Sequence, residues 1–311
     1  MEILDSVDPE RIHALRQSGE SFWLDLIDPT AADLEQMRGL VTMHPLAFED
    51  TVEFGQRAKL DNYPGSALLV AYGAVSGADA RSRLGEVHLH ISPGALVTVT
   101  REPLSALMDA RRDVAAHPSA HPGHAVHGVL DALADSFLTA LDGVEDAIDD
   151  LQESVVEHPT TAHRQRIFEL RRQLIDMRRV LVPQRDLLAP GAELAGAIRD
   201  LHDEQGFRHA LRDVHDHLDH AASLLAAHRE QLAGLLDLYL TEVSTRLNEV
   251  MKRLTVIATV FLPLSFLVGF FGMNFAWLTA ALTPLWTFAI FGVGLLLVST
   301  VAVVWYLRRT D

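Results

Sequence analysis

Between Leu254 and Leu307 the chain carries no Asp, Glu, Lys or Arg, and this one run decides most of what the protein can fold into. A soluble domain needs polar surface at every turn, so so long an uncharged run belongs in hydrocarbon. Crossing a bilayer core of roughly 30 Å takes about 20 helical residues. Two stretches suffice, about Leu254–Phe271 and Leu285–Leu307, and the connection from Gly272 to Pro284 is too short for a domain. The two spans therefore form a hairpin with a small extracytoplasmic loop. Lys252 and Arg253 precede the first span and Arg308 and Arg309 follow the second, which puts both chain ends on the cytoplasmic side. Trp277, Trp286, Trp305 and Tyr306 fall near the expected interfaces, where amphipathic rings are favoured.

The charge sits elsewhere. Residues 1–253 hold 41 acids against 24 Lys and Arg, a net of −17. A nucleic-acid partner would need a basic stripe to neutralise phosphates, so this balance argues against one. With no cysteine in the chain, a disulfide framework and a thiolate metal site are both excluded. The acidic start, Met1 to Glu10, lacks the basic and apolar regions of a cleaved signal peptide, which fits a long N-terminal part that stays in the cytoplasm. Neither a nucleotide loop nor a catalytic triad is legible, so the expectation is a protein that is not an enzyme and uses no organic cofactor.

Before the membrane the chain changes character once. Through residue 116 strand-like and helix-like runs alternate: Phe22–Ile27, Ala67–Ala74, Leu84–Ile91 and Ala95–Thr100 read as strands, and Thr30 as the cap of a helix with Asp33 three residues on. This is a small α/β domain, taken as residues 1–128. His117 to Gly128, with Pro118, Pro122, Gly123 and four histidines, reads as a connector; a metal site on His117, His121, His124 and His127 is the less favoured alternative. Residues 129–253 read as a helical stalk. Leu130–Glu157 is an acidic amphipathic helix and Thr161–Leu188 a basic one, separated by His158, Pro159 and Thr160. From Gly206 no proline occurs until Pro263, which permits one helix from the cytoplasm through the first span to Gly272. A helix of that length calls for a bundle or an oligomer.

The run from Asn248 to Phe266 (Asn-Glu-Val-Met-Lys-Arg-Leu-Thr-Val-Ile-Ala-Thr-Val-Phe-Leu-Pro-Leu-Ser-Phe), ending in Phe271-Gly272-Met273-Asn274-Phe275, resembles the CorA family of magnesium channels. So do Trp23-Leu24-Asp25-Leu26, His44 to Asp50, Gln56 to Lys59, Arg212 to Leu218 and Gly234 to Leu240. The resemblance implies a funnel-shaped homopentamer in the cell (inner) membrane whose first spans (254–273) line a pore. It gives 274–284 as the extracytoplasmic loop, 285–307 as the second span and 308–311 as a cytoplasmic tail. It also implies a selectivity filter at Gly272, Met273 and Asn274, with divalent cations as cargo, Mg²⁺ first and Co²⁺ or Ni²⁺ after it, and a regulatory cation site on Asp50 and Asp213, with Glu49 beside them. Mg²⁺ held between subunits would then close the pore when it is abundant inside.

Residue chemistry agrees with that implication. Asn248, Met251, Leu254, Thr255, Ala258, Leu262, Ser265 and Gly269 recur at three- and four-residue steps, along one uncharged helix face. Mg²⁺ sheds water reluctantly, so amide and hydroxyl oxygens that address its hydration shell suit it better than a charged ring in the membrane. The chain also departs from the family. Its loop, Phe275 to Pro284, has no acid where the family usually carries Met-Pro-Glu-Leu, and Ala58 stands where proline is common. Weaker electrostatic concentration of cations at the entrance follows. A Zn²⁺ or transition-metal transporter, resembling the ZntB branch of the superfamily, is the main alternative. His209, Asp213, His217 and His220 invite it, since they share a helix face at ligand spacing. A non-conducting membrane scaffold is the second.

Overall fold

The computed structural model describes residues 1–77, 82–117, 121–189, 204–273, 275, 276, 280 and 285–310. The chain forms two compact units, Met1–Asp237 and Leu238–Asp311.

In the first unit a six-stranded sheet runs in the order β1-β2-β6-β5-β4-β3. Its strands are β1 (Glu2–Leu4), β2 (Phe22–Ile27), β3 (Lys59–Tyr63), β4 (Ser66–Ser76), β5 (Ser82–Ser92) and β6 (Ala95–Thr100). The pairings of β1 with β2 and β2 with β6 are parallel, and the other three are antiparallel. Side-chain alternation divides β2 between two cores. Phe22, Leu24 and Leu26 join Ile12, Leu15, Leu34 and Met37 from helices α1 (Pro9–Ser18) and α2 (Ala31–Leu40). The intervening Trp23 and Asp25 are also buried, on the face that meets α4 (Ser105–Ala116) and α5 (Pro122–Glu157). The strands expected from the β-rich runs lie inside β2, β4, β5 and β6. Thr30 caps α2 in a full capping box with Asp33.

Two glycines stand opposite each other where helices press on the sheet. Gly73 on β4 pairs with Gly85 on β5. A Cβ at Gly73 would lie 2.6 Å from Leu133 of α5, and one at Gly85 would overlap Leu104. Side chains are excluded there because α5 and the entry to α4 occupy their space.

The expected connector is shorter than the sequence implies. The α5 helix begins at Pro122, with proline at its first position and His121 as its N-cap, so His124, His127 and Gly128 are helical. Proline costs nothing at that position because the first amides of a helix have no internal acceptor. Residues 118–120 lie outside the described set. From Val126 through Val155 the buried residues of α5 recur at three- and four-residue steps. Helix α6 (Thr161–Leu187) starts at the Thr160 cap and buries Ile167, Leu170, Leu174, Met177 and Leu181. Glu145, Asp146, Asp149 and Asp150 of α5 and Arg164, Arg171, Arg172, Arg178 and Arg179 of α6 are exposed, so the apolar stripes rather than the charges are what these helices bury.

Helix α7 runs unbroken over Glu204–Phe271, 68 residues. The second apolar segment comprises α8 (Leu285–Thr287), a π-helical stretch Phe288–Gly294, and α9 (Leu295–Thr310). Both segments are long and apolar enough to span a membrane, Gly206–Phe271 and Leu285–Val303.

Candidate cation path and cation-binding cluster

In the second unit, α7 has two contrasting sides. Val256, Val260, Pro263, Leu264, Leu267 and Phe271 are partly covered and recur at three- and four-residue steps. Asn248, Met251, Leu254, Thr255, Ala258, Leu262, Ser265 and Gly269 are all exposed. At about 100° per residue these two sets point in roughly opposite directions around the axis. Bulky exposed side chains, Ile257, Phe261 and Val268 on one flank and Phe266 and Phe270 on the other, border the small and polar positions between them. Thr255 donates its hydroxyl hydrogen to the Met251 carbonyl at 2.8 Å, and Thr259 does the same to Thr255. Their oxygens are left as acceptors, which is the polarity a cation or its bound water requires. Pro263 lies inside the helix, so the Thr259 carbonyl loses its usual N–H donor.

At the end of α7 the Gly272 N–H reaches back to the Val268 carbonyl at 2.9 Å and the Met273 N–H to Phe270 at 3.3 Å. The Gly-Met pair thus closes the helix, and Met273 is exposed. Asn274 and most of the loop up to Pro284 lie outside the described residues.

The first unit holds the expected regulatory residues on two elements. Helix α3 (Pro45–Val52) is capped by His44 and carries Glu49, exposed, and Asp50, half-buried. Lys59 of β3 bridges the Asp50 carboxylate at 2.7 Å and Asp61 at 3.0 Å. Asp50 is therefore already balanced by a cation of its own chain. Just beyond α3, Glu86 of β5 accepts from the Gly55 and Gln56 amides at 2.6 and 3.0 Å and contacts His88 at 2.7 Å. Burial alone would raise Glu86, but these hydrogen bonds outweigh it and hold the carboxyl below its ordinary pKa. Phe54 stacks on His88, so the chain leaving α3 is pinned to the sheet.

Asp213 is exposed on α7, and its partners lie on α5: Asp131, which the sequence reading did not single out, and His127, which it named only in the less favoured histidine site. Its carboxylate oxygen, a ring nitrogen of His127 and a carboxylate oxygen of Asp131 lie within 4.8 Å of one another. Asp131, Asp135 and His217 form a second such group that shares Asp131. His217 Nδ1 lies 3.3 Å from Asp131 and 3.2 Å from Asp135. His127 Nε2, Asp131 Oδ1 and His217 Nδ1 are buried atoms without a hydrogen bond, although they converge. Burial, then the Asp135 carboxylate, push the pKa of Asp131 up. Polar atoms left facing one another in this way are what a dication or its water shell would satisfy. His127, Asp131 and Asp135 sit at four-residue steps on α5, and Asp213 and His217 at the same step on α7. That matched spacing on two helices was the available signal. Of the four α7 residues suggested for zinc, Asp213 and His217 enter these groups; among the described residues His209 and His220 do not.

The family profile described as CorA-like Mg²⁺ transporter protein matches residues 18–309. The cobalt/magnesium transport protein CorA of Thermotoga maritima is 27% identical over 281 residues, covering 88% of this chain and 78% of its own. The complete structure of the CorA magnesium transporter from Methanocaldococcus jannaschii superposes with a TM-score of 0.77 at 18% identity, covering 93% of this chain and 90% of that one. The ZntB cytoplasmic domain from Vibrio parahaemolyticus superposes with a TM-score of 0.60 at 14% identity, over 72% of this chain and 88% of that domain. At these identities the two structural likenesses speak for the fold alone.

Proposed function

Because the chain belongs to the CorA-like Mg²⁺ transporter family, we propose that it assembles as a homopentamer in the cell membrane and conducts hydrated Mg²⁺ passively into the cytoplasm, through a pore lined by its first span. The observation that carries this reading is the two-sided α7: eight uncharged positions from Asn248 to Gly269 are exposed opposite a partly covered stripe. Repeated around an axis, that face forms a channel whose polar oxygens come from Asn248, Thr255 and Ser265. Met251, Leu254 and Leu262 form apolar constrictions able to gate by dewetting. Gly272, Met273 and Asn274 stand at the mouth, where amide oxygens address the ion's water shell. The membrane potential supplies the drive, about 2.3 kcal/mol per charge per 100 mV, counted twice for a dication.

Regulation in this reading belongs to Asp50, Glu49 and Asp213, where Mg²⁺ between subunits favours the closed state. The cluster of His127, Asp131, Asp135 and His217 around Asp213 supports it. Hydrated Mg²⁺ can be held there by carboxylates, with the imidazole nitrogens accepting from its waters. The same mixed donor set also suits Zn²⁺, and this is the one observation that favours a transition-metal cargo. Flux into liposomes separates the two readings. The expectation is Mg²⁺ entry that Asn274→Ala abolishes; zinc entry without magnesium entry would refute the Mg²⁺ assignment, and equal cation flux in wild type and Asn274→Ala would refute the pore.

A further inference from the structure

Of the histidine-rich segment from His117 to Gly128, His117 and His124 have no part in the transport reading, and the fold gathers these two rings around one carboxylate. Asp113 and His117 lie one helical turn apart at the end of α4, and His124 lies in the first turn of α5. Asp113 Oδ2 is 3.1 Å from His124 Nε2, and Asp113 Oδ1 is 3.4 Å from His117 Nδ1. One ligand atom from each of the three lies within 4.8 Å of the others, and the two rings meet edge to face with centroids 5.3 Å apart. The Asp113 carbonyl can only accept, so His117 Nδ1, 2.8 Å away, carries the ring proton and Nε2 keeps the lone pair for a metal, at the end of α4 where the helix dipole is negative and favours a cation. The neighbouring guanidiniums are engaged elsewhere: Arg111 pairs with Asp5 and Asp25, and Arg112 with Asp109. Among the described residues, the ion-pair partners of Asp113 are these two histidines.

We propose that Asp113, His117 and His124 form a binding site for a transition-metal dication of the Zn²⁺, Co²⁺ or Ni²⁺ class, clamping the end of α4 to the start of α5. Two neutral imidazoles and one carboxylate select such ions over Mg²⁺, which takes oxygen ligands almost exclusively. Three protein ligands leave positions for water, and all three side chains reach solvent, so the ion exchanges and the site reports its concentration rather than holding the fold together. The assignment rests on no part of the transport reading, because it concerns neither the pore nor the Asp213 cluster.

The test is Zn²⁺ binding to the full-length protein in detergent, by equilibrium dialysis in excess Mg²⁺, which occupies oxygen sites. It is done in an Asp213→Asn/His217→Ala background so that the second cluster does not contribute. One Zn²⁺ per chain is expected, with a Kd on the order of micromolar. His117→Ala and His124→Ala, each made separately, should weaken binding by more than the ~10–100-fold typical of losing an outer partner of a ligand. Zn²⁺ should also slow proteolysis between α4 and α5 in the background protein and not in either variant. Unchanged affinity in both variants, or no Zn²⁺ bound by the background protein, overturns the site.

Discussion

Gln184 of α6 completes the backbone pairing of Tyr72 on β4 from 112 residues away: its side-chain oxygen accepts from the Tyr72 N–H at 2.7 Å and its amide donates to the Tyr72 carbonyl at 3.1 Å. The short β3 pairs with β4 only as far as Val70, so beyond it β4 would have an open edge. Ser136 of α5 treats the next free amide likewise, accepting from Ala74 at 2.8 Å. Two helix side chains thus stand in for a missing strand and close an edge that could otherwise template aggregation.

Gln184→Ala should therefore cost more than loss of its own contacts, because it strands a buried donor and a buried acceptor at about 1–3 kcal/mol each. The expected loss is about 2–4 kcal/mol, read from urea unfolding of the detergent-solubilised chain. A change within a few tenths of a kcal/mol would show that water replaces the amide.

Asp25 depends on a chain of partners. Trp23 donates to Thr98 at 2.8 Å, Thr98 donates to Asp25 at 2.6 Å, and Arg111 meets the other Asp25 oxygen at 2.9 Å. Arg111→Ala leaves a carboxylate that is almost wholly buried without its cation, for which about 3–5 kcal/mol is expected. The exposed pair of Arg11 and Glu2 should be far less sensitive, and comparable effects at the two sites would contradict this account.

His90 gives the first unit a defined acid sensitivity. The Thr51 hydroxyl donates to the Ala47 carbonyl, so at 2.7 Å from the ring it can only accept, and His90 Nε2 carries the proton. Complete burial, reinforced by His88, pushes the His90 pKa down to about 3. The unfolded chain takes up this proton below about pH 6.5 and the folded one does not until about pH 3. Stability is thus fully present above about pH 6.5 and falls with pH across that window, by up to about 1.4 kcal/mol per unit. His90→Gln should flatten this part of the urea-midpoint profile; an identical slope would assign the sensitivity elsewhere.

Lys59 competes with any cation at Asp50. If Mg²⁺ uses that carboxylate, Lys59→Met should lower the Mg²⁺ concentration that protects the first unit from proteolysis, by several-fold, since one positive charge leaves the site. Asp50→Asn with Asp213→Asn should weaken the same protection while leaving conduction intact. Protection unaffected by either change would remove Asp50 from the regulatory site.

Much of this was legible because local chemistry and final environment agree. The β-rich runs of β2 and β6, the Thr30 cap and the two apolar spans survive in the fold because each also satisfies its neighbours. Pro122 misled: proline in a histidine-rich stretch reads as a breaker, yet at a first helical position it starts α5. The three-residue β1 has almost no local signal, since it exists through its parallel pairing with β2. At the cation cluster, sequence identified Asp213 and His217 but not Asp131 or Asp135, because the face of α5 that meets α7 is fixed by tertiary packing. The π-helical stretch had no counterpart in hydropathy, which is blind to hydrogen-bond register.

That stretch, Phe288–Gly294, acts as a phase shifter in the second span. A π turn takes in one residue more than the α-helical ladder on either side. Side chains beyond it are therefore displaced by about 100° from where an uninterrupted helix would put them. Leu285 to Thr287 and the segment from Leu295 onward can thus present apolar surface to different neighbours along a single crossing. Deleting one residue within the stretch would restore the α-helical ladder and turn the helix after it by that same angle. The span's hydrophobic length would hardly change, but its rotational setting would.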